Sequence, residues 1–99
     1  MSEARKSHAA ETYAQIKAAL GDGKWAEMED AFRSFVEAYP IPDWYVEETI
    51  FQGMKLWHEQ RPADLLRSFG RVLDRVAGEP VVDAEEVRAI GGLLLEARG

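Results

Sequence analysis

Two prolines one residue apart, Pro40 and Pro42, set a rigid corner in the chain, and the stretch behind them constrains the fold most. Proline fixes φ and donates no backbone hydrogen bond, so no helix runs through this corner. From Trp44 to Gln60 the pattern turns helical. Val46, Ile50, Met54 and Trp57 recur at i, i+4, i+8 and i+11, which makes one continuous stripe. Phe51 and Trp44 widen the stripe on one edge, while Tyr45 and Leu56 lie almost opposite it. A helix that is apolar nearly all round is usually central, with neighbours on several sides. Gly53 sits on the same side as Val46 and Trp57, where a missing side chain lets another helix approach. Trp57→Ala is accordingly expected to cost about 3–5 kcal/mol, the loss typical of a large core aromatic.

The flanking stretches read as further helices. Residues 1–7 are expected as a flexible lead-in, and 8–99 as a single helical domain. A first helix is predicted from Ser7 or His8 to Leu20, with a narrow stripe of Ala9, Tyr13, Ile16 and Leu20; Gly21 is its expected left-handed terminator. A second, about Lys24 to Ala38, is cleanly amphipathic, its apolar face being Trp25, Met28, Phe32, Phe35 and Tyr39. Asp43 is the expected N-cap of the third. The fourth, about Pro62 to Ala77, turns Leu65, Leu66, Phe69, Val72, Leu73 and Val76 to one side and Arg67, Arg71 and Arg75 to the other. A fifth is expected to open at Asp83 with a capping box to Glu86 and a staple of Val82 and Val87. Its inner stripe is Val87, Ile90, Leu94 and Ala97, with Leu95 pointing away. Short loops between such helices favour antiparallel neighbours. The expected fold is all-α: a single-domain bundle of about five short antiparallel helices, or a helical-hairpin array, with helix 3 or 4 central.

Composition narrows the function classes. With no Cys there is no disulfide, thiolate nucleophile or Cys-type zinc site. The N-terminus lacks the apolar run of a signal peptide, and the longest apolar runs are three residues, far too short to span a membrane. A soluble, cytoplasmic protein is expected. Twelve basic against eighteen acidic residues leave a net charge of −6, which opposes general phosphate-backbone binding.

Residues 23–40, Gly-Lys-Trp-Ala-Glu-Met-Glu-Asp-Ala-Phe-Arg-Ser-Phe-Val-Glu-Ala-Tyr-Pro, place Gly23, Trp25, Glu27, Phe32 and Pro40 at a recognisable spacing. This segment resembles the second helix of a tetratricopeptide repeat. Met28 and Phe35 stand where that family has small residues, and the preceding helix lacks its Trp, Leu-Gly and Tyr pattern. The resemblance implies a helical hairpin presenting a groove to a partner peptide, and no chemistry.

No motif in the chain carries catalysis. His8 and Glu11 stand at i, i+3, a spacing compatible with shared metal ligation, but no second His lies nearby. His58 could hydrogen-bond in a helix interface or titrate as a switch. Of the carboxylates Glu27, Glu29 and Asp30, Glu47 and Glu48, and Glu85 and Glu86, most fall on predicted outer faces or in first turns. Acid–base work needs two carboxylates converging in an apolar pocket. No glycine-rich phosphate loop and no nucleophile elbow is present. No catalytic residue, cofactor or metal is expected.

Two features point to partners. The row Arg67, Arg71 and Arg75, with Arg61 nearby, offers a docking surface for an acidic partner, or else a solvated face paired with Asp64 and Asp74. The surplus apolar residues Trp44, Tyr45, Leu56 and Leu95 suggest an exposed patch for another protein or for a second copy of this chain. The expected function is a non-enzymatic helical interaction module: an adaptor, accessory subunit or regulator, with a homodimer compatible. The alternative is a small acidic inhibitor or immunity-type protein that blocks a nucleic-acid-binding or toxic enzyme. DNA reading by helix 4 or 5 has only the Arg row in its favour, and an enzyme would need His58 to converge with carboxylates.

Overall fold

A computed structural model describes residues 2–39 and 41–78. Within them the chain is all-α, in four helices: α1 (Ser2–Gly21), α2 (Trp25–Ala38), α3 (Asp43–His58) and α4 (Pro62–Ala77). The fifth helix expected from Asp83 lies outside the described residues.

The helix ends follow from local chemistry. Lys24 N–H donates to Ala19 O and Gly23 N–H to Leu20 O, closing α1 with Gly23 at φ 70°. Gly23, two residues beyond the expected Gly21, is therefore the left-handed terminator. The same pair of bonds closes α3, Arg61 N–H to Leu56 O and Gln60 N–H to Trp57 O, with Gln60 held at φ 57°. Gly78, at φ 79°, ends α4. Asp43 is the first residue of α3 and makes no capping bond, Pro42 taking the cap position. Its carboxylate still meets the positive end of the helix dipole.

α1 begins at Ser2, ahead of the predicted Ser7 or His8, so residues expected as a lead-in form its first turns. Arg5 supplies a reason: its Nη1 donates to Val76 O at 3.4 Å, and its guanidinium stands 5.1 Å from the Tyr39 ring centroid. These contacts tie the start of α1 to α2 and α4.

The core runs through all four helices. Ile16, Met28, Phe32, Phe35, Leu65, Leu66, Phe69 and Leu73 are fully buried. α4 packs against both α1 and α3, and α1 against α2, while α2 and α3 touch lightly. Helix 4 is thus the shared wall; of the two helices expected as central, 3 or 4, it is the fourth that has neighbours on two sides. Trp44 is 70% exposed, Phe51 63% and Met54 37%. The buried residues of α3 are Val46, Thr49, Ile50 and Gly53. Its inward face is turned from the apolar stripe toward Thr49 and Gly53, because small residues permit the closest approach. An ideal Cβ on Gly53 would lie 2.8 Å from Phe69 Cε2 and 3.2 Å from Trp25 Cη2. Thr49 meets its hydrogen-bonding need within the helix, its hydroxyl donating to Tyr45 O at 2.8 Å. Trp57 is only partly buried against the core.

Candidate functional site

The turn of α3 toward Gly53 brings its second apolar edge into play. Tyr45 and Leu56, nearly opposite the sequence stripe, fall at the seam between α3 and α4. There they line a groove of about 470 Å³ together with Trp44, Thr49, Gln52 and Val72. Arg61, at the cap of α4, and Arg67 and Arg71 within it form the opposing rim, with Asp64 and Ser68 between them. Arg75 continues the rim, its guanidinium lying 6.0 Å from the Tyr45 ring centroid. Trp44 packs against Tyr45 with ring centroids 5.6 Å apart. Five candidate residues separated by up to 27 positions (44 to 71) therefore share one surface, with Arg75 beside it. Leu95 lies outside the described residues.

The rim charges differ in their commitments. Arg61 Nη1 meets Glu59 Oε1 at 3.0 Å and Nε meets Asp64 Oδ2 at 2.9 Å. The hydrogen bond to Glu59, then that to Asp64, raises the Arg61 pKa. Arg67 stands 3.5 Å from Asp64. Among the described residues Arg71, an exposed cation on the groove, pairs with no carboxylate. The groove thus combines apolar residues with an edge of mixed charge, Arg61, Arg67 and Arg71 together with Glu48 and Asp64. The groove is open, and two carboxylates, Glu48 and Asp64, also line it, Asp64 being paired with Arg61 and Arg67.

The other sequence candidates go elsewhere. His58 is exposed and borders a separate cleft with Leu20, Gly21, Trp57, Gln60, Arg61 and Pro62, which contains no carboxylate. His8 is drawn into packing: its Nδ1 is 3.1 Å from the Tyr39 hydroxyl, and its ring meets Phe35 edge-on at 5.0 Å. Glu29 and Glu47 do converge, but on Arg33. Arg33 Nε donates to Glu29 Oε2 at 2.9 Å, and Nη1 to Glu47 Oε1 at 2.9 Å. Trp25 Nε1 donates to Glu29 Oε1 at 3.1 Å, completing a chain that clips α2 to α3. The hydrogen bond from Arg33 holds the Glu47 carboxyl below the usual glutamate range, and Glu47 then Glu29 push the Arg33 pKa up. Only the docking of α2 on α3 brings Arg33 to Glu47. Among the described residues no group of three or more His, Asp or Glu could hold a metal, and no helix is long and apolar enough to cross a membrane.

Comparison of the chain with protein-family models, with curated proteins and with solved structures yields no match. The groove is thus interpreted from its own chemistry.

Proposed function

We propose that this chain is a non-enzymatic helical interaction module that docks another protein in the α3–α4 groove, as an adaptor, accessory subunit or regulator acting in the cytoplasm. The observation that carries the reading is the convergence of Trp44, Tyr45 and Leu56 with Arg67 and Arg71 on one open surface. Aromatic residues and Arg dominate the energetics of protein interfaces, because they bury large areas at low entropic cost and pair well with carboxylates. The segment that resembles a tetratricopeptide helix falls on α2, which contributes no residue to this groove.

The test is affinity capture from cell extract by wild type and by two variants. Trp44→Ala with Arg71→Glu is expected to lose the captured protein, whereas Lys24→Glu, on the exposed start of α2, retains it. Equal capture by all three would remove the groove from the reading. A second reading, the acidic inhibitor of a nucleic-acid-binding or toxic enzyme, is favoured by the net charge of −6. It predicts capture that survives the groove variant and fades steeply with salt, since exposed charges are screened beyond about 10 Å at 0.1 M ionic strength.

A further inference from the structure

We infer that the outer face of α3 is a self-association surface, on which two copies of this chain pair α3 against α3, antiparallel, about a two-fold axis at Phe51. The inference goes beyond the reading of the α3–α4 groove and concerns the side of the helix turned away from α4.

The face follows from the way α3 is seated. Val46, Thr49 and Gly53 are buried, and at about 100° per residue Phe51 falls nearly opposite Thr49 and Gly53. Trp44, Phe51 and His58 stand seven residues apart and form one exposed line along the helix. Glu47, Glu48, Met54 and Lys55 flank that line and are exposed as well. Among the described residues the exposed large apolar side chains are Trp44, Phe51 and Met54, and all three lie on this face. Spacing by sevens is the pattern of helices that pair side by side.

Charge names the occupant. α3 keeps its acids, Asp43, Glu47 and Glu48, in its first half and its bases, Lys55 and His58, in its second. An antiparallel second copy sets each half against its opposite, whereas a parallel copy would set like against like. With the axis at Phe51, the two Phe51 rings meet, and Trp44 of each copy comes level with His58 of the other. Glu48 of each copy lies on the same flank as Lys55 of the other, offset by one residue, about 1.5 Å along the helix. Both groups are available: Lys55 pairs with no carboxylate among the described residues, and Glu48 accepts only from the Gln52 amide, at 3.2 Å. Glu47 falls on the other flank, where it keeps its bond to Arg33. Because the same patch serves both copies, the assembly closes at two. A face 16 residues long spans about 24 Å, which places the contact at the small end of interfaces and makes the dimer dissociate on dilution.

Sedimentation equilibrium of the full chain, from low micromolar to millimolar concentration, tests the pairing. Wild type is expected to pass from monomer to dimer over this range. Phe51→Glu, Glu48→Lys and Lys55→Glu are each expected to weaken the dimer at least about tenfold, since the symmetry repeats every lost or repulsive contact. The double variant Glu48→Lys with Lys55→Glu is expected to restore it. Arg71→Glu, on the groove rim, is expected to leave it unchanged. These side chains are exposed, so circular dichroism should show native helicity in every variant. A wild type that stays monomeric at millimolar concentration would overturn the inference, as would a double variant no better than the singles. A dimer that survives Phe51→Glu but is lost in Arg71→Glu would also overturn it and assign self-association to the groove. Capture of another protein by the groove is a separate measurement, so failure of the dimer leaves the docking reading to its own test.

Discussion

Gly53 of α3 lies against the ring of Phe69 so closely that a single added methyl would sit 2.8 Å from Cε2 and 2.9 Å from Cζ. Phe69 is fully buried and meets Phe32 edge-on at 5.1 Å, so its ring has nowhere to retreat. Gly53→Ala therefore sets two effects in opposition. Alanine gains about 1 kcal/mol of helix propensity, and overpacking of a filled core costs about 1–3 kcal/mol. The wedge wins in this site, because the clash is with a ring held from several helices. The variant is expected to be less stable than wild type by urea denaturation; a rise in midpoint would mean that α3 shifts freely on α4.

Phe69 of α4 and Trp57 of α3 separate the two helices that the sequence offered as the centre of the bundle. Phe69→Ala is expected to cost about 3–5 kcal/mol, as deep aromatic truncations do. Trp57, only partly buried beside the cleft at the α3–α4 turn, is expected to lose about 1–3 kcal/mol on truncation, the range of ordinary mutations. Chemical denaturation of both variants checks the order, and a reversal would return the centre to helix 3.

The Arg33 clip gives stability a dependence on acid. Hydrogen bonding to Arg33 depresses the folded pKa of Glu47, so the pair contributes above the unfolded value, about 4.3 for a glutamate, and its contribution is lost as pH falls through the folded value. Glu47→Gln is expected to lower the urea midpoint at pH 7 and to match wild type in strongly acidic buffer. The pair is exposed, so the gap at pH 7 is small and shrinks with salt. A difference that persists unchanged in acid would show that the glutamine acts through packing and not charge.

Groove residues should affect binding without affecting folding. Trp44 is 70% exposed and Arg71 is exposed, so Trp44→Ala and Arg71→Glu are each expected to change stability by no more than about 0.5 kcal/mol, as surface substitutions generally do. Thermal unfolding followed by circular dichroism provides the check. A large loss from either would mark the groove as structural.

The helices were legible because their signals are local. The face of α4 (Leu65, Leu66, Phe69, Val72 and Leu73) is buried as its spacing predicts, and the expected bounds of that helix are the observed ones. α3 misled for a physical reason. Periodicity counts apolar side chains, and Met54 and Phe51 count heavily, whereas closeness of approach is decided by the small residues Gly53 and Thr49. The turn at Gln60 was hidden because glutamine carries no left-handed signature; the chain imposes that geometry through the two bonds that close α3. Of the site, the sequence showed the constituents Trp44, Tyr45, Leu56 and the Arg row, but not their union. That required knowing that α3 turns its second edge toward α4.

Because α4 is the wall that α1 and α3 have in common, the bundle has an inside track and an outside lane for solvent. α3 packs chiefly on α4 and only lightly on α2, with the Pro42 corner at one end and the Gln60 turn at the other. Opening α3 breaks its packing on α4 and the Arg33–Glu47 clip to α2, and leaves the contacts of α1 with α2 and α4 in place. Amide deuterium uptake would then arrive in two waves, α3 first and α4 last. The element that forms half of the groove would be the one whose backbone opens most readily to water.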